Sequence, residues 1–250
     1  MSNVIAMAQI AKPCINEVFA QFLEDQAKRL TPKTLRKYEQ VISLLQSHLD
    51  NYGHDCLSTA EQALFEKHYN TEGNAHRNYC DLFGPEKVFE TIGSFFSYFM
   101  IRKVMAGEEL KRASGTVVKK LSQWLVERGL ISEASAEKGE EEGSDAVTLL
   151  PLAEKASRIL FEHADAQGLH PNDFEDDEDY IEFDHMTISR LEPGKIWLEY
   201  HDIGEDKTLG PVTVPASATK LLKEGWDISC GLGRTRGKWQ IIEMGNVYPS

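Results

Sequence analysis

No apolar run in this 250-residue sequence approaches the roughly 18 residues that a membrane-spanning helix requires. The richest stretch, Phe95 to Val104, is short and already carries Arg102 and Lys103. The opening residues, MSNVIAMAQIAKP, place no positive charge ahead of their apolar side chains, so no secretory signal and a cytoplasmic location are expected. Cysteine is scarce, with Cys14, Cys56, Cys80 and Cys230 irregularly spaced, which excludes the disulfide framework of small secreted domains. Catalytic signatures are missing too. The sequence has no Gly-x-Ser-x-Gly elbow, no HExxH, no kinase motif set and no GK[ST] phosphate loop. No catalytic residues and no cofactor are therefore assigned.

What is present is a globular composition, with 41% hydrophobic and 9% aromatic residues, too apolar for a disordered chain. The net charge of −13 is unevenly spread. Residues 1–132 carry 16 basic and 15 acidic side chains, leaving 11 and 25 for the remaining 118. A surface that meets a polyanion is thus expected in the first half, or in a local patch of the second.

Helical punctuation dominates the first half. Ile15, Val18, Phe19, Phe22 and Leu23 recur at helical spacing. Thr31-Pro32 supplies an N-cap and a proline at the first helical position, and Leu35 to Leu49 continue one apolar face towards Gly53. Ser58-Thr-Ala-Glu61 reads as a capping box. Gly84-Pro85 is expected to open a fourth helix through Val88, Phe89, Ile92, Phe95, Phe96, Phe99 and Met100. A fifth carries Val117, Val118, Leu121, Trp124 and Leu125 and stops at Gly129. Residues 133–146 hold six acids, one lysine and no bulky apolar side chain, and are expected as a flexible linker. A further helix is predicted from Pro151 to Gly168, then an acid run from Asp173 to Asp184 as a solvated loop.

From Met186 the apolar period becomes two. A hairpin is predicted around Glu192-Pro-Gly-Lys195, a third strand at Val212–Val214, a short helix over 215–223, and a second hairpin around Gly231 to Gly237. The fold class expected is α+β in two domains. An all-α bundle occupies 1–132, and a small SH3-like β-barrel preceded by one helix occupies 147–250.

Three groups of side chains are candidates for chemistry. Arg102, Lys103, Lys111, Arg112, Lys119 and Lys120 form an extended basic series that would contact DNA backbone if they share a helix face. Arg234, Arg236 and Lys238 form a basic hairpin tip suited to a protein partner. His54, Cys56, His68, His76 and Cys80 are the densest histidine and cysteine cluster, but their spacing matches no zinc pattern and no metal site is assigned.

Phe22-Leu-Glu-Asp-Gln-Ala-Lys-Arg-Leu-Thr-Pro-Lys-Thr-Leu-Arg-Lys-Tyr, Phe95-Phe-Ser-Tyr-Phe and Trp124-Leu-Val-Glu-Arg-Gly-Leu-Ile resemble the N-terminal SAM-like, core-binding domain of tyrosine recombinases, the phage integrases. The likeness covers about half of the chain. It implies a helical bundle that clamps DNA. The second half departs from that family, with no His-x-x-Arg and Tyr248 standing before Pro249. The expectation is a non-catalytic nucleic-acid-associated protein whose acidic β domain engages another protein. The alternative is a protein-interaction or regulatory module that does not touch DNA.

Overall fold

The computed structural model describes residues 9–174, 179–202 and 205–249. The fold is α+β, a helical N-terminal region followed by a five-stranded C-terminal sheet. The chain divides into two compact units, Met1–Phe99 with Leu110–Val147, and Met100–Glu109 with Thr148–Ser250.

In the first unit, α1 (Ile15–Ala27) and α2 (Pro32–Tyr52) are joined by a short turn. Thr31 Oγ1 accepts from the Thr34 amide at 3.3 Å, so the predicted N-cap is in place. The Ser58–Glu61 capping box opens α3 (Thr59–Tyr69) as expected. Gly53 ends α2 for a reason other than backbone freedom. Its backbone is right-handed, and a Cβ there would lie 2.7 Å from the Tyr79 ring, in α4 (Tyr79–Leu82).

Gly84-Pro85 opens no continuous helix. A 3₁₀ turn at Pro85–Lys87 is followed by one short α-turn, α5 (Ile92–Ser94), and then a nine-residue π-helix, Phe95–Lys103. Phe95, Phe96 and Phe99 are buried by this wider winding. Against them sits His48 of α2, with no exposed surface. Its Nε2 lies 3.2 Å from both the carbonyl and the hydroxyl of Thr91, and its ring packs on Tyr52, Phe95 and Phe99. Burial holds this imidazole down to about pH 4, with the Thr91 hydrogen bond pulling the other way.

Residues 133–146, expected as a flexible linker, are helical. They form the first part of α7 (Glu133–Gln167), which continues through Pro151 rather than starting there. The expectation counted only bulky side chains. Here the seam is built from Ala136, Gly139, Gly143 and Ala146, all buried on one face. Against α6 (Glu108–Glu127), a Cβ on Gly115 would sit 2.4 Å from the Gly143 carbonyl oxygen. One on Gly143 would sit 2.9 Å from the Gly115 carbonyl oxygen. Backbone touches backbone, and dispersion with Cα–H···O contact replaces side-chain burial.

In the second unit, Ala153, Ala156, Leu160 and Ala164 of α7 belong to one apolar core with the sheet. Its strands are β1 (Tyr180–Glu192), β2 (Lys195–Asp202), β3 (Glu205–Thr213), β4 (Asp227–Thr235) and β5 (Lys238–Tyr248), with α8 (Ala216–Thr219) between β3 and β4. The pairing order β1-β2-β3-β5-β4 closes on itself, because β4 also pairs with β1. The closing contact between β3 and β5 is parallel and has two register pairs, Val212 with Trp239 and Thr213 with Gln240. Met186, Ile188, Ile196, Leu198, Ile228, Cys230, Leu232 and Ile241 alternate inward, which is the period-two pattern of the sequence.

Two sequence expectations change here. The acid run is in part strand, since β1 begins at Tyr180, and residues 175–178 lie outside the described residues. The second hairpin turn is only Arg236-Gly237, both with positive φ, as a two-residue primed turn demands. Gly231 and Gly233, expected in that turn, lie inside β4. A Cβ on Gly233 would meet the Phe174 ring at 2.3 Å, and one on Gly231 would meet the Glu243 carboxylate at 2.7 Å. Both glycines make room for side chains that cover the outer face of the strand.

Two outcomes follow for stability. Gly115→Ala forces α6 and α7 apart and is expected to cost about 2 kcal/mol in chemical unfolding, whereas Gly107→Ala, whose Cβ meets nothing within 4 Å, is expected to be near neutral. His48 binds a proton in the unfolded chain below about pH 6.5 but in the folded chain only near pH 4. Its contribution is complete above the unfolded value and drains away as pH falls. Between pH 7 and pH 4 the native chain should lose about 3 kcal/mol more than a His48→Phe variant, measured by urea titration at each pH.

Candidate functional site

The six cations expected to line DNA do not assemble as one exposed series. Lys111 is 4% exposed and faces the interior side of α6 with Ser114, Gly115 and Val118. Burial of this kind removes it from any surface. Arg102 and Lys103 are exposed at the end of the π-helix and belong to the second unit, whereas Lys111, Arg112, Lys119 and Lys120 belong to the first. Arg112 and Lys120 are exposed on α6, with Lys120 Nζ donating to Gln123 Oε1 at 3.2 Å, whereas Lys119 is half-buried at the seam, where a Cβ on Gly143 would lie 3.4 Å from its Cβ. Further along α6, from Gln123 to Glu127, a groove of ≈ 700 Å³ opens towards α7, lined by Glu127, Glu133, Glu137, Glu140 and Glu141 with Val126 and Ala136. Its five carboxylates make the groove itself negative.

A different set of cations gathers in the first unit, where α1 ends, α2 begins and α6 ends. Lys28 and Arg29 close α1, Lys33 and Arg36 stand exposed in the first two turns of α2, and Lys37 is half-buried beside them. Arg128 follows α6. The three elements are tied by the Phe22 ring, which stacks on Tyr38 of α2 at 6.1 Å and meets Trp124 of α6 edge-on at 5.5 Å. Asp25 anchors the polar side. It accepts from Lys28 Nζ at 2.8 Å, from the Trp124 indole at 3.1 Å and from Arg128 Nη2. These bonds, Lys28 first and Trp124 second, hold its carboxyl down to about 2. Arg29 is oriented by Gln26, whose Oε1 accepts from Nε at 3.0 Å and Nη2 at 2.6 Å.

The electrostatics of α2 are unusual. Its first turn contains Lys33 and no acidic residue, although the exposed amides and dipole of a helix start favour negative charge. Positive side chains placed at a positive helix end repel it, and an anion relieves both. The signal was in the sequence as Lys28-Arg-Leu-Thr-Pro-Lys-Thr-Leu-Arg-Lys37, five cations in ten residues. The convergence of Arg128 on that segment, 99 residues from Arg29, required the fold.

Arg234, Arg236 and Lys238 do meet at the tip of the β4–β5 hairpin, where all three are exposed. Arg234 is engaged by Asp179 at 3.8 Å and lies 5.9 Å from the Trp239 ring centre. Of the histidine and cysteine cluster, His54 stacks on Phe65, His76 Nδ1 lies 2.8 Å from the Tyr69 carbonyl, and Cys80 is buried with its thiol pushed up by desolvation. Among the described residues no group of three or more histidine, cysteine or carboxylate side chains is arranged to hold a metal ion. No helix among them is long and apolar enough to cross a membrane. Comparison with protein families, with characterised proteins and with solved structures finds no match for this chain.

Proposed function

We propose that the chain is a non-catalytic nucleic-acid-associated protein whose helical unit grips duplex backbone through the corner formed by α1, α2 and α6. The observation that carries this reading is the placement of Lys33 and Arg36 at the start of a 21-residue helix that has no acid in its first turn. Lys28, Arg29 and Arg128 extend the positive surface around it. Phosphate contacts of this sort fix position without reading sequence. The likeness to the core-binding domain of tyrosine recombinases points the same way, since it runs through Lys28 to Lys37. In this reading the closed β unit is a small SH3-like barrel that engages a protein partner through Arg234, Arg236 and Lys238, and the protein works in the cytoplasm.

The acid-lined groove between α6 and α7 favours a second reading, a protein-interaction module that takes a basic segment there and leaves DNA alone. The two readings diverge in a single titration. A duplex of about 20 base pairs should bind in about 50 mM salt and lose affinity steeply by about 200 mM. Reversing Lys33 and Arg36 to glutamate should weaken it at least tenfold, and reversing Lys119 and Lys120 should do much less. No binding at the lower salt, or binding indifferent to Lys33 and Arg36, would discard the nucleic-acid reading in favour of the second.

A further inference from the structure

We infer that Asp25 is a built-in competitor for the phosphates, holding Lys28 and Arg128 in the unbound protein and yielding them to the duplex backbone on binding. This rests on the nucleic-acid reading above and assigns the regulation of that same corner. The geometry is a two-cation fork on one carboxylate. Lys28 reaches Oδ1, Arg128 reaches Oδ2, and the indole of Trp124 shares Oδ2. The side chains of Lys28 and Arg128 are 74% and 55% exposed, against 21% for Asp25. The cations thus stand in solvent while the acid that orients them is recessed.

A phosphate offers each cation the same kind of anionic oxygen that Asp25 does. When the cations leave, the Trp124 N–H stays, so the carboxylate keeps a donor and is not stranded. The two exposed pairs are individually weak, and exchanging them for phosphate contacts is close to balanced. The exchange therefore gives little to a lone anion. An array of phosphates that also engages Lys33 and Arg36 tips it, because the later contacts are made within an already bound complex. The low titration range of Asp25 agrees with a carboxylate that stays charged throughout this exchange.

The test compares wild type, Asp25→Asn and Glu24→Gln on one duplex of about 20 base pairs across about 50–200 mM salt. Asparagine keeps an oxygen for Trp124 and removes the charge. Glu24→Gln removes an equal charge from the exposed neighbour without releasing either cation. D25N should tighten binding about fivefold, as expected when two exposed pairs no longer have to be broken. It should also steepen the salt slope by about one, and E24Q should do clearly less. Equal effects of D25N and E24Q, or no effect of D25N where wild type binds, overturn the inference and leave the proposed function standing. A wild-type chain that binds no duplex overturns both. Should D25N unfold in the assay, the indole N–H resonance of Trp124 in wild type decides the matter. It is expected to shift as duplex is added, and a resonance unmoved at saturation overturns the inference.

Discussion

The contact on which the helical unit depends is backbone against backbone, where α6 and α7 cross at Gly115 and Gly143. It lets residues 133–146 pack although they bring no large apolar side chain to bury. Removing the Cβ on both helices lets the main chains approach until dispersion between peptide groups does the work that leucines do elsewhere. The same crossing dictates the surface. With Ala136, Gly139, Gly143 and Ala146 turned inwards, Glu137, Glu140 and Glu141 fall beside the seam and line the groove. The acid wall of the groove is therefore a by-product of the glycine seam.

Much of the fold was legible in the sequence, and the failures share a cause. Thr31-Pro32, Ser58 with Glu61, and the Glu192–Lys195 turn were read correctly because local hydrogen bonding and fixed φ act within four residues. The inward strand residues were legible because alternation is a property of the pleat itself. Residues 133–146 were misread because only bulky side chains were counted, and Gly231 with Gly233 because a glycine was judged only by its fitness for a turn. In both places its meaning lies in a distant partner, a facing helix in one case and Phe174 or Glu243 in the other. The π-helix was unreadable for a related reason. Phe95, Phe96 and Phe99 fit ordinary helical spacing equally well, and it is packing around His48 that accompanies the wider turn.

The candidate site was legible in kind but not in position. Cation density in the first half pointed to the helical unit, and Lys28, Arg29, Lys33, Arg36 and Arg128 all lie there. Which cations count depended on facts that no spacing rule contains. Lys111 occupies an inward position of α6, and Lys119 is half-buried where α6 meets Gly143 of α7. Lys33, by contrast, occupies the first turn of α2, where its own helix opposes it. A charge that a local rule disfavours is more informative than a longer run of charges that no rule disfavours.

The strand ring of the second unit is fastened unevenly. Antiparallel pairing holds β1 to β2, β1 to β4, β2 to β3 and β4 to β5 over five or more register pairs each, while the parallel join of β3 to β5 rests on Val212–Thr213 against Trp239–Gln240. That join works as a clasp. Undoing it would turn a closed ring into an open sheet with every antiparallel pairing intact.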